Sequence, residues 1–116
     1  MSEIASIDDL FDGDDVTADV HELTLPNGKV VKVRGLSRYE LILAGKGTED
    51  GALIERRNIQ MCMVEPAMTL GQVEAWQKRS RAGGGGYALV SKTIRDLSGL
   101  GEGADKSDLR AVRDES

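Results

Sequence analysis

VHELTLPNGKVVKVRGLSRYE, residues 20–40, decides the fold. Its first half has strand composition on both sides of Pro26-Asn27-Gly28. Proline suits the first central position of a turn, and glycine takes a positive φ without a Cβ clash. Two registers compete. A two-residue Asn-Gly turn sets Leu23 opposite Lys32. A three-residue Pro-Asn-Gly loop closed by a glycine bulge sets Leu25 against Lys29, Leu23 against Val31 and Glu22 against Lys32. Only the second puts Leu23, Leu25, Val31 and Val33 on one face with opposite charges paired on the other. A slip of one residue would reverse the faces, so the bulged register is expected.

The second half switches period. Ser37 and Glu40 have capping-box spacing, each side chain positioned to satisfy a free backbone N–H. Leu36 before the cap and Leu41 after it form a hydrophobic staple. A short helix from Arg38 to about Lys46 follows, with Gly45 and Gly47 favouring its end. A strand hairpin that runs directly into a capped helix points to a mixed α+β domain.

The rest of the chain extends this pattern. Ala52 to Val64 read as a second helix starting near Glu49 and Asp50, apolar almost all round from Ile59 onward, and therefore buried at that end. Pro66 is expected to stop it. Thr69 and Gln72 repeat the capping box, with Met68 and Val73 as staple. In that third helix Leu70, Val73 and Trp76 point to one side, and Lys78 and Arg79 suit its negative C-terminal end. A glycine run at 83–86 precedes a last helix from Tyr87 to Ser98, stopped by Gly99. The glycines read as a hinge that could let this helix swing. The expected architecture is mainly α with an N-terminal β-hairpin, about four short helices, a disordered acidic arm (1–19), a body (20–98) and a flexible polar tail (99–116).

GYALVSKT, residues 86–93, differs from the phosphate-binding pattern GxxxxGK[ST] by Ser91 in place of a glycine. A P-loop follows a buried strand and aims open backbone N–H groups at phosphate. Here the preceding VEAWQKRSR is the end of a polar helix. At about 100° per residue, Tyr87, Val90, Ile94 and Leu97 form one stripe, while Lys92 faces water in reach of Asp96. The stretch reads as a helix, so an enzyme or nucleotide-binding domain built on it is disfavoured.

Composition narrows the function classes. The length of 116 residues suits one domain. Hydrophobic residues make up 40% and charged residues 30%, in proportion for a globular protein. No apolar run is long enough for a membrane span. The acidic start is unlike a secretory signal. One cysteine (Cys62) and one histidine (His21) leave no disulfide, zinc site or catalytic pairing that spacing identifies, and a cytoplasmic setting is the default. No cofactor is implied. Residues 1–19 carry seven acids and no base, whereas residues 20–98 carry 12 bases against 8 acids. An acidic arm beside a mildly basic body disfavours nucleic acid as partner; the arm could fold back on the body or meet a basic partner. Four aromatic residues are too few for a base-stacking platform.

Met61, Met63 and Met68 cluster at the junction of the second and third helices. Methionine fills irregular gaps and adapts to varied apolar partners. A body of about 80 residues has a marginal core, which partners, a second copy of the chain among them, would supplement. Ile59, Met63, Met68, Val73 and Trp76 are the candidate surface for an apolar partner.

The order of three segments resembles tail assembly chaperones of long-tailed bacteriophages: VKVRGLSRYE after a hairpin, ERRNIQMCMVEPAMTLGQVEAWQKR, and TIRDLSGLGEGADKSD. The resemblance spans about residues 20–108. It implies a non-enzymatic protein of the infected host's cytoplasm, absent from the mature virion. Such a protein binds the long, helical, aggregation-prone tape measure protein, keeps it soluble and helps recruit tail tube subunits around it. The competing reading is a small structural or connector protein of the phage particle.

Overall fold

The computed structural model describes residues 3–11 and 15–100. These form an α+β domain with a three-stranded antiparallel sheet and four helices in the body, preceded by one short helix in the acidic arm. In chain order the elements are α1 (Ile7–Phe11), β1 (His21–Thr24), β2 (Val30–Val33), α2 (Arg38–Ala44), α3 (Gly51–Cys62), β3 (Met63–Glu65), α4 (Leu70–Arg79) and α5 (Gly86–Leu97).

The hairpin adopts the bulged register. Glu22 pairs with Lys32 and Leu23 with Val31. The Leu25 N–H donates to the Lys29 carbonyl at 2.8 Å, and Gly28 closes the loop at φ +83°. Val31 and Val33 are consequently buried while Val30 and Lys32 face out. Local chemistry sets this register, because only one slip puts the apolar set inward.

Both expected capping boxes are present. Ser37 Oγ accepts from the Glu40 N–H and Glu40 Oε1 accepts from the Ser37 N–H. Thr69 and Gln72 repeat the arrangement at α4. The arm holds a third: Ser6 and Asp9 exchange the same two bonds at the start of α1. The arm was expected to be disordered along its length. The Ser6-x-x-Asp9 spacing ahead of Leu10 and Phe11 was the overlooked signal for a helical turn. Of the expected flexible tail, residues from 101 onward lie outside the described part.

The second helix ends earlier than its apolar run. α3 stops at Cys62, and Met63–Glu65 leave as a third strand on β2, with Val33 opposite Met63 and Lys32 opposite Glu65. Two forces favour the exit. Glu65 precedes Pro66 and is biased to extended backbone, and the open edge of β2 supplies hydrogen-bond partners. Lys32 Nζ lies 3.5 Å from the Glu65 carboxylate across this new pair.

The core lies between the inner face of the sheet and α3, α4 and α5. Val33, Ile59, Cys62, Val73 and Val90 are fully buried, and Ile94 nearly so. α3 is the central helix, in contact with α2, α4, α5 and β3. Glu55 joins two neighbours through its carboxylate: Ser91 Oγ of α5 donates to it at 3.1 Å and Gln77 Nε2 of α4 at 3.2 Å. Arg57 Nη1 donates to the Ala44 and Lys46 carbonyls, satisfying the end of α2.

The residues GYALVSKT lie within α5 and its first turn, with Tyr87 and Val90 buried and Lys92 exposed. The element before them is the helix α4 and not a strand, so the stretch lacks the strand–loop–helix setting of a P-loop. The glycine run forms a turn in which Gly84 takes φ +77°. Gly86 already sits against Leu25 and Trp76, and α5 buries Tyr87, Val90 and Ile94 at once. At the other end of α5 the Leu100 N–H reaches the Arg95 carbonyl and the Gly99 N–H the Asp96 carbonyl, a Schellman stop.

Arg34 binds three elements together at the end of β2. Its Nη1 and Nη2 form a bidentate pair with the Glu40 carboxylate at 2.8 and 2.7 Å. Nη2 also donates to the Met61 carbonyl at 2.9 Å, and the Arg34 backbone N–H to the Cys62 carbonyl at 3.0 Å. The Arg34 guanidinium and, against the cost of partial burial, the Ser37 N–H pull the Glu40 carboxyl down to about 2 from an ordinary 4.5. The folded value lies below the unfolded one, so the pair's contribution is complete above pH 4.5 and disappears as pH falls through about 2.

Two predictions follow from this packing. Gly35 is buried where a Cβ would stand 2.6 Å from the Leu97 carbonyl oxygen, on the backbone of α5. Gly35→Ala should therefore lower stability by about 2 kcal/mol or more, seen as a fall in the urea midpoint, since backbone cannot give way as a side chain can. Glu40→Gln should cost on the order of 2–3 kcal/mol at neutral pH. Its deficit relative to the parent should shrink between pH 4.5 and about 2 in urea titrations run across pH. A deficit constant down to pH 2 would show that the ion pair is not what Glu40 contributes.

Candidate partner-binding groove

An open groove of about 500 Å³ crosses one end of the domain between the hairpin, the β3–α4 connection and α4. Leu25 and Val31 of the hairpin form one wall and Met63 forms the floor. Pro66 and Met68 close one side. Gln72, Ala75, Trp76 and Arg79 line the other. These four α4 residues recur at i, i+3, i+4 and i+7, so they form one stripe of that helix. The lining is almost entirely apolar, with Arg79 the single cation.

Each wall is set by local chemistry. The bulged register turns Leu25 and Val31 inward. The Thr69 box starts α4 so that Val73 faces the core and the Ala75–Trp76 edge faces the groove. Trp76 is held by Tyr87, whose ring meets it edge to face with centroids 5.1 Å apart and planes at 83°. Such a contact adds about 1 kcal/mol beyond area burial and keeps the indole as a wall rather than a loose flap.

The five residues expected at a binding surface divide. Met63, Met68 and Trp76 come together in the groove. Ile59 and Val73 are fully buried in the core beneath it and present no surface to a partner. Helical periodicity identified them as apolar neighbours correctly, but a period says which residues share a face and not whether another element covers it. Leu25, Val31, Pro66, Gln72, Ala75 and Arg79 complete the groove without having been expected there. The hairpin register and the α4 stripe were readable signals, but which helix sits over the hairpin was not.

A second apolar area shares no lining residue with the groove. Leu43, Ala44 and Lys46 of the α2 end, Arg57, Gln60 and Met61 of α3, and Leu70 of α4 enclose a depression of about 350 Å³. Tyr39, Ile42 and Leu43 extend it along the outer face of α2, with exposures of 71%, 61% and 39%.

Cys62, Tyr87 and His21 line neither area. Burial pushes the Cys62 thiol up to about 12, outweighing the opposing charge of Arg34. The Tyr87 hydroxyl is also raised, chiefly by burial and then by the neighbouring Glu55 carboxylate. No direct hydrogen bond to that hydroxyl meets ordinary geometry. His21 sits half-buried at the start of β1 with Nε2 3.0 Å from the Asp19 carboxylate. Among the described residues, no group of three or more His, Cys, Asp or Glu is placed to hold a metal ion, and no helix is long and apolar enough to cross a membrane.

The fold is a small α+β domain that carries an open, largely apolar groove with two methionines in its lining. Comparison of the chain with family models, with curated proteins and with solved structures gives no match.

A thiol reagent at mildly alkaline pH should leave Cys62 unmodified in the native protein and label it completely in denaturant, since the thiolate is the reacting form. Labelling at the same rate in both states, followed by mass spectrometry, would contradict the burial described.

Proposed function

We propose that the protein is a tail assembly chaperone of a long-tailed bacteriophage, which binds helical segments of the tape measure protein and keeps them soluble while tail tube subunits gather. One observation carries this reading beyond the sequence resemblance: an open apolar groove with methionine in its floor and side. A helix laid in such a groove buries apolar residues at i, i+3, i+4 and i+7. Met63 and Met68 can repack around different side chains, which suits a protein that meets many unlike stretches of one long chain.

The walls support the same use. Trp76 supplies a large rigid contact surface at little entropic cost, and Arg79 at one end can pair with an acid on the bound helix. In this reading the protein acts by covering surface and performs no catalysis. It works in the cytoplasm of the infected host and is left out of the finished particle.

The test is co-expression with the tape measure protein. The parent chain should raise the soluble fraction of that protein and co-purify with it. Met68→Asp and Ala75→Arg alter groove residues that retain exposed surface, so the fold should survive, as circular dichroism would check. Each should reduce co-purification at least tenfold, the cost of placing a charge in an apolar contact. Folded variants that still rescue solubility would place binding elsewhere. Recovery of the chain from purified virions would favour a structural or connector component instead.

A further inference from the structure

Besides the groove, two apolar surfaces among the described residues face water. One is the arm helix α1, where Ile7, Leu10 and Phe11 project at i, i+3 and i+4 with exposures of 74%, 68% and 75%. Ile4 continues the stripe at 98% exposure. The other is the outer face of α2, where Tyr39, Ile42 and Leu43 lead into the depression bounded by Met61 and Leu70. A solvent-facing helix stripe is ordinarily polar, and both of these depart from that pattern.

Charge and connection match them to each other. The described arm carries Glu3, Asp8 and Asp9 around its apolar stripe and no base. The α2 depression carries Lys46 and Arg57 at its edge and no acid. The arm also begins in the right place. His21 pairs with Val33, which puts the root of the arm at the Arg34 end of the sheet, and Arg34 is bound to Glu40 on α2. The Asp15–Asp19 turn starts the arm beside that end, stapled by the Thr17 N–H and hydroxyl on the Asp15 carboxylate. Hydrogen bonds from Thr17 chiefly, and the Arg34 charge in the smallest degree, hold the Asp15 carboxyl below its ordinary value. Residues 12–20 separate α1 from β1. A chain of that length can reach beyond the roughly 10 Å length of a seven-residue helix such as α2.

The larger groove is a poorer match for the arm. Its lining carries one cation, Arg79, where the α2 depression carries Lys46 and Arg57.

We propose that α1 of the acidic arm docks, within its own chain, on the outer face of α2, with Ile7, Leu10 and Phe11 against Leu43, Met61 and Leu70 and its acids toward Lys46 and Arg57. A short tether gives the arm a high effective concentration over that face, so a small contact suffices and remains reversible. The arm is then a built-in cover for a second apolar surface, displaced only by a partner that binds more tightly. The assignment stands apart from the tail chaperone reading, since it concerns a different face and needs no other protein.

Paramagnetic relaxation in the full chain tests it. Ala5→Cys carries a spin label, and buried Cys62 stays unlabelled. The expected result is strong loss of amide signal at Leu43, Lys46, Gln60 and Leu70, abolished when Leu10→Asp and Phe11→Asp are added. Those substitutions fall on exposed arm residues and leave the body folded. No selective loss, or loss confined to Leu25, Ala75 and Arg79, would overturn the proposal. Loss that arises only between a labelled copy and a separate isotope-enriched copy would overturn it too, by making the contact intermolecular.

Discussion

The Arg34–Glu40 pair is the constraint on which the other elements depend. Arg34 ends β2, Glu40 lies in the first turn of α2, and the Met61 and Cys62 carbonyls that Arg34 also binds end α3. One guanidinium therefore ties sheet, capping box and central helix at a single point. Both side chains are largely buried, at 15% and 17% exposure. A buried ion pair is costly to desolvate and adds stability only when its remaining donors are satisfied. Here they are, because Nη1 also reaches the Gly35 carbonyl and Glu40 accepts from the Ser37 N–H. The geometry selects one arrangement: moving α2 or the end of α3 would leave a charge buried and unpaired.

The next link lies two residues on. Gly35 lets the backbone pass against Leu97, and the Leu36 N–H takes the Ser98 hydroxyl as acceptor at 2.7 Å. α5 is thereby locked to the chain between β2 and α2. With α5 seated, Tyr87 presses on Trp76, and Trp76 becomes the fixed wall of the groove. A run of contacts thus leads from Arg34 to the candidate binding surface. The groove thus combines an aromatic wall packed on Tyr87 with methionines, whose unbranched side chains fit varied neighbours.

Much of the body was legible because its signals are local. A turn tripeptide and a period of two set the hairpin register, and side-chain oxygens three residues from their partners set the helix starts. The same device at Ser6 and Asp9 marked α1, but seven acids in the first 19 residues argued for disorder and outweighed it. The third strand was hidden for a different reason. Met63 and Val64 continue an apolar run that helix and strand explain equally well. The open edge of β2 decides between them, and it lies 30 residues away in the chain.

The candidate site shows the same division. Sequence by itself determined which residues are apolar, how the strands pair and where each helix begins, since those depend on interactions within a few residues. It also disfavoured a P-loop at GYALVSKT, because the residues before and after that stretch are helical in pattern. Only the tertiary structure decided that Ile59 and Val73 lie beneath the groove while Leu25, Ala75 and Arg79 border it. Periodicity assigns a residue to a face of its own element. Whether that face meets water or a neighbour depends on helix placement, which here follows from contacts such as Arg34 with Glu40 and Gly35 with Leu97, between residues that no local pattern connects.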